Sequence, residues 1–437
     1  IIADNMMGRC AFMIIHVVKP GESVYTIARL YGVPYTKIIQ DNELANPGQL
    51  VVGQTLVVLE GTRQHRVVPG QSLYSIARDY GVTVDAILEA NPQITNPALI
   101  RPGQIITIPP RTRKLGTIEV NGYAFPNISM EVLQKTLPYL TYLSIFSYEV
   151  RPDGSLSSVN DTTLIQAARQ AGVAPLMVIT NIEEGGSFNS DLVATILRSE
   201  QIQDTLLNNV IETMRTKNYY GLDVDFEYIY PQDRENYNNF LRKASSRLHE
   251  LGYTLTTALA PKIAADQRGL LYEAHDYPVH GALVDHVILM TYEWGYTFGP
   301  PMAVAPINEV RKVLNYAVSA IPRRKILMGI PNYGYDWTLP FVQGTAARTL
   351  SNPGAVEQSF RVRAAIQYDT TSQSPFYRYY TSGRQHEVWF EDARSINAKL
   401  RLVNEYNLGG VSYWTINRYF PQNWLVLQSL YDVRKVL

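Results

Sequence analysis

Along the chain the hydrophobic pattern changes period once, and the change divides it. Up to about residue 110 the apolar positions come in short groups that recur. "HVVKPGESVYTIARLYGV" from His16 and "HRVVPGQSLYSIARDYGV" from His65 match at most positions, 49 residues apart. Each copy predicts a short strand, a Pro-Gly turn, and a helix opened by Ser23 or Ser72 and closed by Gly32 or Gly81. Ile27 with Tyr31, and Ile76 with Tyr80, supply the i, i+4 apolar face. A second helix is expected to end near Asn42 or Asn91, with a last strand after "VVGQTL" or "RPGQII". Two small βααβ modules follow, over 14–60 and 64–110.

Pro109, Pro110 and the basic stretch after them predict a linker over 111–116. From 117 to 437 short apolar runs alternate with amphipathic helical stretches. The candidate strands are "TIEVNGYAF", "YLSIFSYEV", "APLMVITN", "YGLDVDFEY", "YTLTTALAP", "VDHVILMTYEW", "KILMGIPNYGYDW" and "GGVSYWTIN". Eight such runs fit an α/β fold of the (β/α)8 TIM barrel type better than an open doubly wound sheet. The first run is followed by no glycine-rich phosphate fingerprint, which removes the main support for dinucleotide binding. Between the seventh and eighth runs, about 338–400, "SPFYRYYTSGRQHEVWFED" predicts a small α+β insertion, because its alternating aromatics argue against an unstructured loop.

The fourth run carries the candidate chemistry. Asp223, Asp225 and Glu227 alternate with Leu222, Val224 and Phe226, so on a strand they share one face with neighbours roughly 6 to 7 Å apart. Three readings compete: a solvated acidic face, a divalent-metal site, or crowded carboxyls that perturb one another until one keeps a proton near neutral pH. In a barrel the solvated face disappears, since no side of the strand meets bulk water. The metal reading weakens as well, because no histidine or further acid cluster is forced to the same mouth. Glu227, furthest along, is then at the carboxyl-terminal end where barrel enzymes place their chemistry.

Composition narrows the partners. The 437 residues exceed what one core supports, and 46% apolar with 18% charged residues suits a globular protein. Lys plus Arg and Asp plus Glu are 39 each, giving no net field to attract nucleic acid or an anionic membrane. The single cysteine, Cys10, excludes an internal disulfide framework and a cysteine-based zinc site. Thirty tyrosines and five tryptophans offer flat rings suited to stacking on sugars. No apolar run reaches the 18 or so residues of a membrane span. The opening "IIADNMMGRCAFMIIHVV" lacks the basic, apolar, small-residue order of a secretion signal. Residues 1–13 are expected to be an expression remnant or a disordered tail.

Both repeats resemble the lysin motif (LysM) throughout. That resemblance implies a shallow groove for the N-acetyl groups of chitin or peptidoglycan glycans, at Gly21, Glu22, Ser23, Asn46 and Pro47 in the first module and Gly70, Gln71, Ser72, Asn96 and Pro97 in the second. Several of these residues also build turns and caps. The large domain resembles glycoside hydrolase family 18, the chitinase-type hydrolases, whose fourth strand reads D-x-x-D-x-D-x-E. Asp223, Asp225 and Glu227 match its last three acids, while Tyr220 stands at the first. "LMTYEW" matches the sixth-strand M-x-Y-D element with Tyr292 in place and Glu293 for the usual Asp. "GVSYWTIN" matches the last strand, with Trp414 as the sugar floor.

The resemblance implies a substrate-assisted retaining mechanism without metal or organic cofactor. Glu227 would be the proton donor, Asp225 would accept the substrate acetamide N–H, Asp223 would share a proton or hydrogen bond with Asp225, and Tyr292 would steady the acetamide oxygen. Trp414, Glu293, Asn332 and Tyr123 would bind substrate. Two LysM modules before such a barrel are similar to the cortical-fragment-lytic enzymes of bacterial spores. That similarity implies an N-acetylglucosaminidase acting on spore-cortex peptidoglycan fragments during germination, at the coat and cortex boundary. Its partners would be glycan strands containing N-acetylglucosamine and muramic δ-lactam, with no nucleic acid and no membrane. A chitinase-like endo-hydrolase of cell-wall glycan and a non-catalytic lectin are the alternatives, and the retained Glu227 weighs against the second.

Overall fold

The computed structural model describes residues 13–59, 63–109, 114–183 and 186–437. Residues 1–12 of the expected tail and 111–113 of the expected linker lie outside them. The chain separates into two compact units, one of residues 1–116 with 421–432, the other of residues 117–420 with 433–437.

In the first unit each repeat is a βααβ module. The first runs through Met13–Val17, Val24–Tyr31, Tyr35–Asp41 and Thr55–Leu59, and the second through Arg63–Arg66, Leu73–Tyr80, Val84–Glu89 and Ile105–Ile108. The outer strands pair antiparallel, Met13 with Leu59 and Arg63 with Ile108. Ser23 and Ser72 cap the first helices through reciprocal bonds with Thr26 and Ser75, and Gly32 and Gly81 close them in the left-handed conformation that glycine adopts without strain. Asn42 and Asn91 recur for a reason the pattern alone hides. Each buried amide donates to the carbonyl of a second-helix residue (Ile38, Ile87) and pairs with both backbone groups of a last-strand residue (Val57, Thr107). One side chain thereby ties helix to strand in a core too small to do so by packing alone.

The helix Pro421–Leu430 also belongs to this unit. Its buried Gln422 accepts from the Thr55 hydroxyl (2.9 Å) and donates to the Thr55 carbonyl (2.7 Å) and Asn42 Oδ1 (3.2 Å). Gln422→Ala removes these three bonds and is expected to cost about 2 kcal/mol, read as a lower denaturation midpoint of the first unit; an unchanged midpoint would refute the tie.

The second unit is a closed barrel of eight parallel strands: Gly116–Ala124, Tyr142–Glu149, Ala174–Thr180, Gly221–Asp225, Thr254–Leu259, His286–Leu289, Ile326–Pro331 and Gly410–Trp414. Each pairs with the next, and the eighth returns to the first through Gly410 and Glu119. Strands covered on both faces read as continuous apolar runs, as Ala174–Thr180 does with every residue buried. Tyr123, Phe146, Val178, Ala258, Ile288 and Leu327 fill the interior. Gly221 opens the acidic strand because a Cβ there would lie 2.1 Å from Thr254 Oγ1 and 2.7 Å from the Thr254 carbonyl.

The seventh sequence run divides in two. Its first part is the barrel strand Ile326–Pro331. Its second part, Gly334–Leu339, leaves the barrel and joins a five-stranded antiparallel sheet with Arg348–Leu350, Gln367–Asp369, Ser374–Thr381 and Arg384–Trp389. With the helix Asn352–Arg361 this is the α+β insertion, and its sheet starts at Gly334 rather than near 338. Its buried anchor is Asp336, whose carboxylate accepts from Arg348 (2.8 Å), Gln358 (3.0 Å), Tyr379 (2.7 Å) and His386 (2.9 Å).

Candidate active site

The acidic strand fixes its side chains by having an apolar outer face. Leu222, Val224 and Phe226 are fully buried, and Phe226 packs on Tyr237 and Phe240 of the helix Arg234–Glu250. Alternation then turns Asp223 and Asp225 into the barrel, where both are buried. The strand ends at Asp225, so Glu227 stands on the loop beyond it and its backbone needs other partners. Asn181, buried at the end of the third strand, supplies them: its Oδ1 accepts the Glu227 N–H (2.9 Å) and its Nδ2 donates to the Glu227 carbonyl (2.8 Å). One residue earlier, His275 Nε2 donates to the Phe226 carbonyl (3.0 Å) while its Nδ1 accepts the Ala260 N–H (2.9 Å). Burial pushes the His275 pKa down to about 4, so the ring stays neutral in that tautomer. Neither residue was singled out from the sequence, since both are distant along the chain and act on backbone.

Burial, with crowding, raises the pKa values of the acids. Asp223 Oδ2 accepts from Tyr123 (2.7 Å) and Ser144 (3.1 Å), and burial lifts its pKa to about 6. Burial, then the neighbouring Glu227 and Asp223, hold Asp225 well above the usual carboxylate range. Burial and the charge of Glu293 push Glu227 up to about 7. The anticipated hydrogen bond between Asp223 and Asp225 is not formed; each keeps one buried oxygen without a partner. Asp223 leans instead on Tyr123 and Ser144.

Asp225 and Glu227 open into a cavity of about 880 Å³ that Tyr123, Tyr292, Glu293 and Trp414 also line. Trp414 meets Tyr123, Phe125 and Phe146 edge-on at 5.3, 5.7 and 4.8 Å between ring centres, giving a wide aromatic floor. Burial first, then Asp225 and Glu227, hold the Tyr292 hydroxyl well above its ordinary pKa, so it remains a donor. Glu293 accepts from the hydroxyls of Tyr333 and Tyr335.

Two sequence expectations change here. The Tyr123 ring lines the cavity, but its hydroxyl is committed to Asp223. Asn332 is not brought to the cavity: it is buried, and its amide donates to the Thr415 (3.1 Å) and Arg418 (2.5 Å) carbonyls, fixing the loop after the eighth strand. Tyr220, at the missing first acid, packs with Val436 against Tyr142, Ala174 and Leu176 of the second and third strands.

Among the module residues, Glu22 and Gln71 turn inward to His16 and His65 (2.8 Å each) and to the Lys19 and Val68 N–H groups, while Ser23 and Ser72 are caps. Gly21 and Gly70 hold positive φ in the turns. Asn46 and Pro47, and Asn96 and Pro97, form the loop before the last strand, where the Asn46 and Asn96 carbonyls accept from Gln49 and Leu99. Tyr25 and Tyr74 beside the turns are exposed.

Comparison with known proteins agrees with this geometry. Residues 16–59 and 65–109 match the LysM domain model, and residues 126–418 match that of glycosyl hydrolases family 18. The chain is 46% identical over 432 residues to the cortical fragment-lytic enzyme of Bacillus subtilis, covering 97% of this chain and 99% of that protein. It is similar to the crystal structures of the spore cortex-lytic enzyme SleL from Bacillus megaterium, with 42% identity, a TM-score of 0.85 and coverage of 98% and 100%, and from Bacillus cereus, with 41% identity, a TM-score of 0.82 and coverage of 97% and 99%. With a paired Asp225 and Glu227 at the barrel mouth and both models matched in order, the chain belongs to glycosyl hydrolases family 18 and is a glycoside hydrolase carrying two LysM modules.

Proposed function

We propose that this protein is an N-acetylglucosaminidase that hydrolyses β-1,4 bonds of spore-cortex peptidoglycan fragments during germination, working at the coat and cortex boundary with its LysM modules held to the glycan. The observation that carries the reading is the pair of proton-holding acids, Asp225 and Glu227, above the Trp414 floor. In the first step Glu227 gives its proton to the glycosidic oxygen as the C1–O bond breaks. The acetamide oxygen of the same sugar forms the new bond to C1, giving an oxazolinium ion. Asp225 accepts the acetamide N–H and, passing its proton to the neighbouring Asp223 as positive charge develops, becomes the carboxylate that offsets that charge, and Tyr292 donates to the acetamide oxygen. In the second step Glu227, now a carboxylate, takes a proton from water, which attacks C1 and opens the ring with net retention. Asp223 supports this from beneath, held by Tyr123 and Ser144.

Mass spectrometry of products from lactam-containing cortex fragments tests the reading, with wild type and Glu227→Gln incubated separately. New fragments with reducing N-acetylglucosamine ends from wild type alone are expected. Reducing muramic ends would overturn the bond assignment. Intact binding with no product from either protein would point to a lectin.

A further inference from the structure

A second chamber, of about 590 Å³, adjoins the catalytic cavity and shares Phe125, Glu293 and Trp414 with it. The charges lining the two differ. Glu149, Asp225, Glu227 and Glu293 line the catalytic cavity, and among the described residues no Lys, Arg or His does. The second chamber holds Arg418, the only cation lining either space among the described residues. Arg418 is exposed, and among the described residues its guanidinium forms no ion pair. Its backbone, by contrast, is fixed, because the buried Asn332 donates to its carbonyl at 2.5 Å. A free guanidinium on an anchored turn, one sugar floor away from the reacting acids, is placed to read an anion on a glycan running through both chambers.

We propose that this chamber is a carboxylate-reading subsite in which Arg418 binds an acid group on a sugar flanking the one that is cleaved. The inference rests on the peptidoglycan reading above and deepens it. Muramic sugars that are not closed into the lactam carry a lactyl ether that ends either in a free carboxylate or in a peptide with its own terminal carboxylate. Such a group finds no cation among the described residues of the catalytic cavity, which suits a neutral N-acetylated sugar, and is attracted to the guanidinium next door. A planar guanidinium grips a carboxylate through two parallel N–H donors, a geometry no neutral amide reproduces. Glu293 on the shared wall does not cancel the attraction, since Tyr333 and Tyr335 engage its carboxylate and burial raises its pKa.

The test measures binding rather than turnover, so it stands apart from the bond-cleavage reading. In the full-length Glu227→Gln protein, with and without Arg418→Gln, calorimetry gives Kd for a muramic-containing tetrasaccharide as the free acid and as its methyl ester. With Arg418 present the acid is expected to bind about 10-fold or more tighter than the ester, in the range of a hydrogen bond to a charged partner. With Arg418→Gln the ratio is expected to fall to about 1. Arg418→Lys is expected to restore part of the ratio, because the charge returns without the bidentate fork. A second pair, with the lactyl group amide-linked to alanine bearing a free or esterified carboxyl, identifies the source: the series whose ratio depends on Arg418 supplies the ligand. Ratios unaffected by Arg418→Gln in both series overturn the proposal, whatever products the wild type yields.

Discussion

Glu227→Gln is expected to lower turnover of N-acetylated glycan by about 1000-fold or more while ligand affinity stays within a few-fold of wild type, because the amide keeps the shape but has no proton to give. The magnitude reflects loss of the acid in the first step and of the base in the second. Retained turnover would remove Glu227 from the mechanism. The same proton sets the pH profile. Burial and the charge of Glu293 hold the Glu227 pKa at about 7, and the group acts in its protonated form. Activity is therefore retained below that value and lost as pH rises through it. Glu293→Gln removes one of the two raising influences, so the alkaline limb of the kcat/KM profile is expected to move to lower pH. A limb that does not move would mean that burial alone sets the value.

Asp225→Asn is expected to cost about 100-fold or more in kcat on N-acetylated substrates, the second largest effect. Asn keeps an oxygen able to accept the acetamide N–H but cannot shed a proton to become the carboxylate that offsets the oxazolinium. The loss therefore belongs to the transition state and should exceed any change in ground-state binding. The discriminating measurement is affinity for a neutral N-acetyl sugar against a cationic mimic of the bicyclic intermediate. The mimic is expected to lose affinity selectively; parallel losses, or an equal rate loss on substrates without the acetamide, would show that Asp225 only supports the fold. Because Glu227 raises the demand of Asp225 for a proton, apparent pKa values from either variant belong to the pair.

Much of the site was legible because it is written in one strand. Alternation alone places Asp223 and Asp225 on one face and Leu222, Val224 and Phe226 on the other, and a closed barrel leaves the acids nowhere to point but inward. The module caps were legible too, since Ser-x-x-Thr, Ser-x-x-Ser and a following glycine are local chemistry. What escaped was set by distance along the chain. Asn181 and His275 act on the backbone of Glu227 and Phe226 from 46 and 49 residues away, and no local pattern marks a side chain that serves another segment's peptide groups. Asn332, assigned to the substrate by resemblance, serves the loop carrying Thr415 and Arg418 instead. The seventh run reads as one strand because its apolar alternation continues past Pro331, whereas the pairing partner changes from Gly410–Trp414 to the insertion sheet.

Local sequence sufficed for the strand and helix periods, the caps, the acid ladder and the repeated modules, because each element depends on residues within a few positions of one another. Tertiary structure alone decided which oxygen each acid keeps free, how the catalytic loop is held beyond the strand's end, and that the helix Pro421–Leu430 belongs with the amino-terminal unit. Those outcomes depend on which distant segments exclude water together, and burial shared between segments is a property that no single segment encodes.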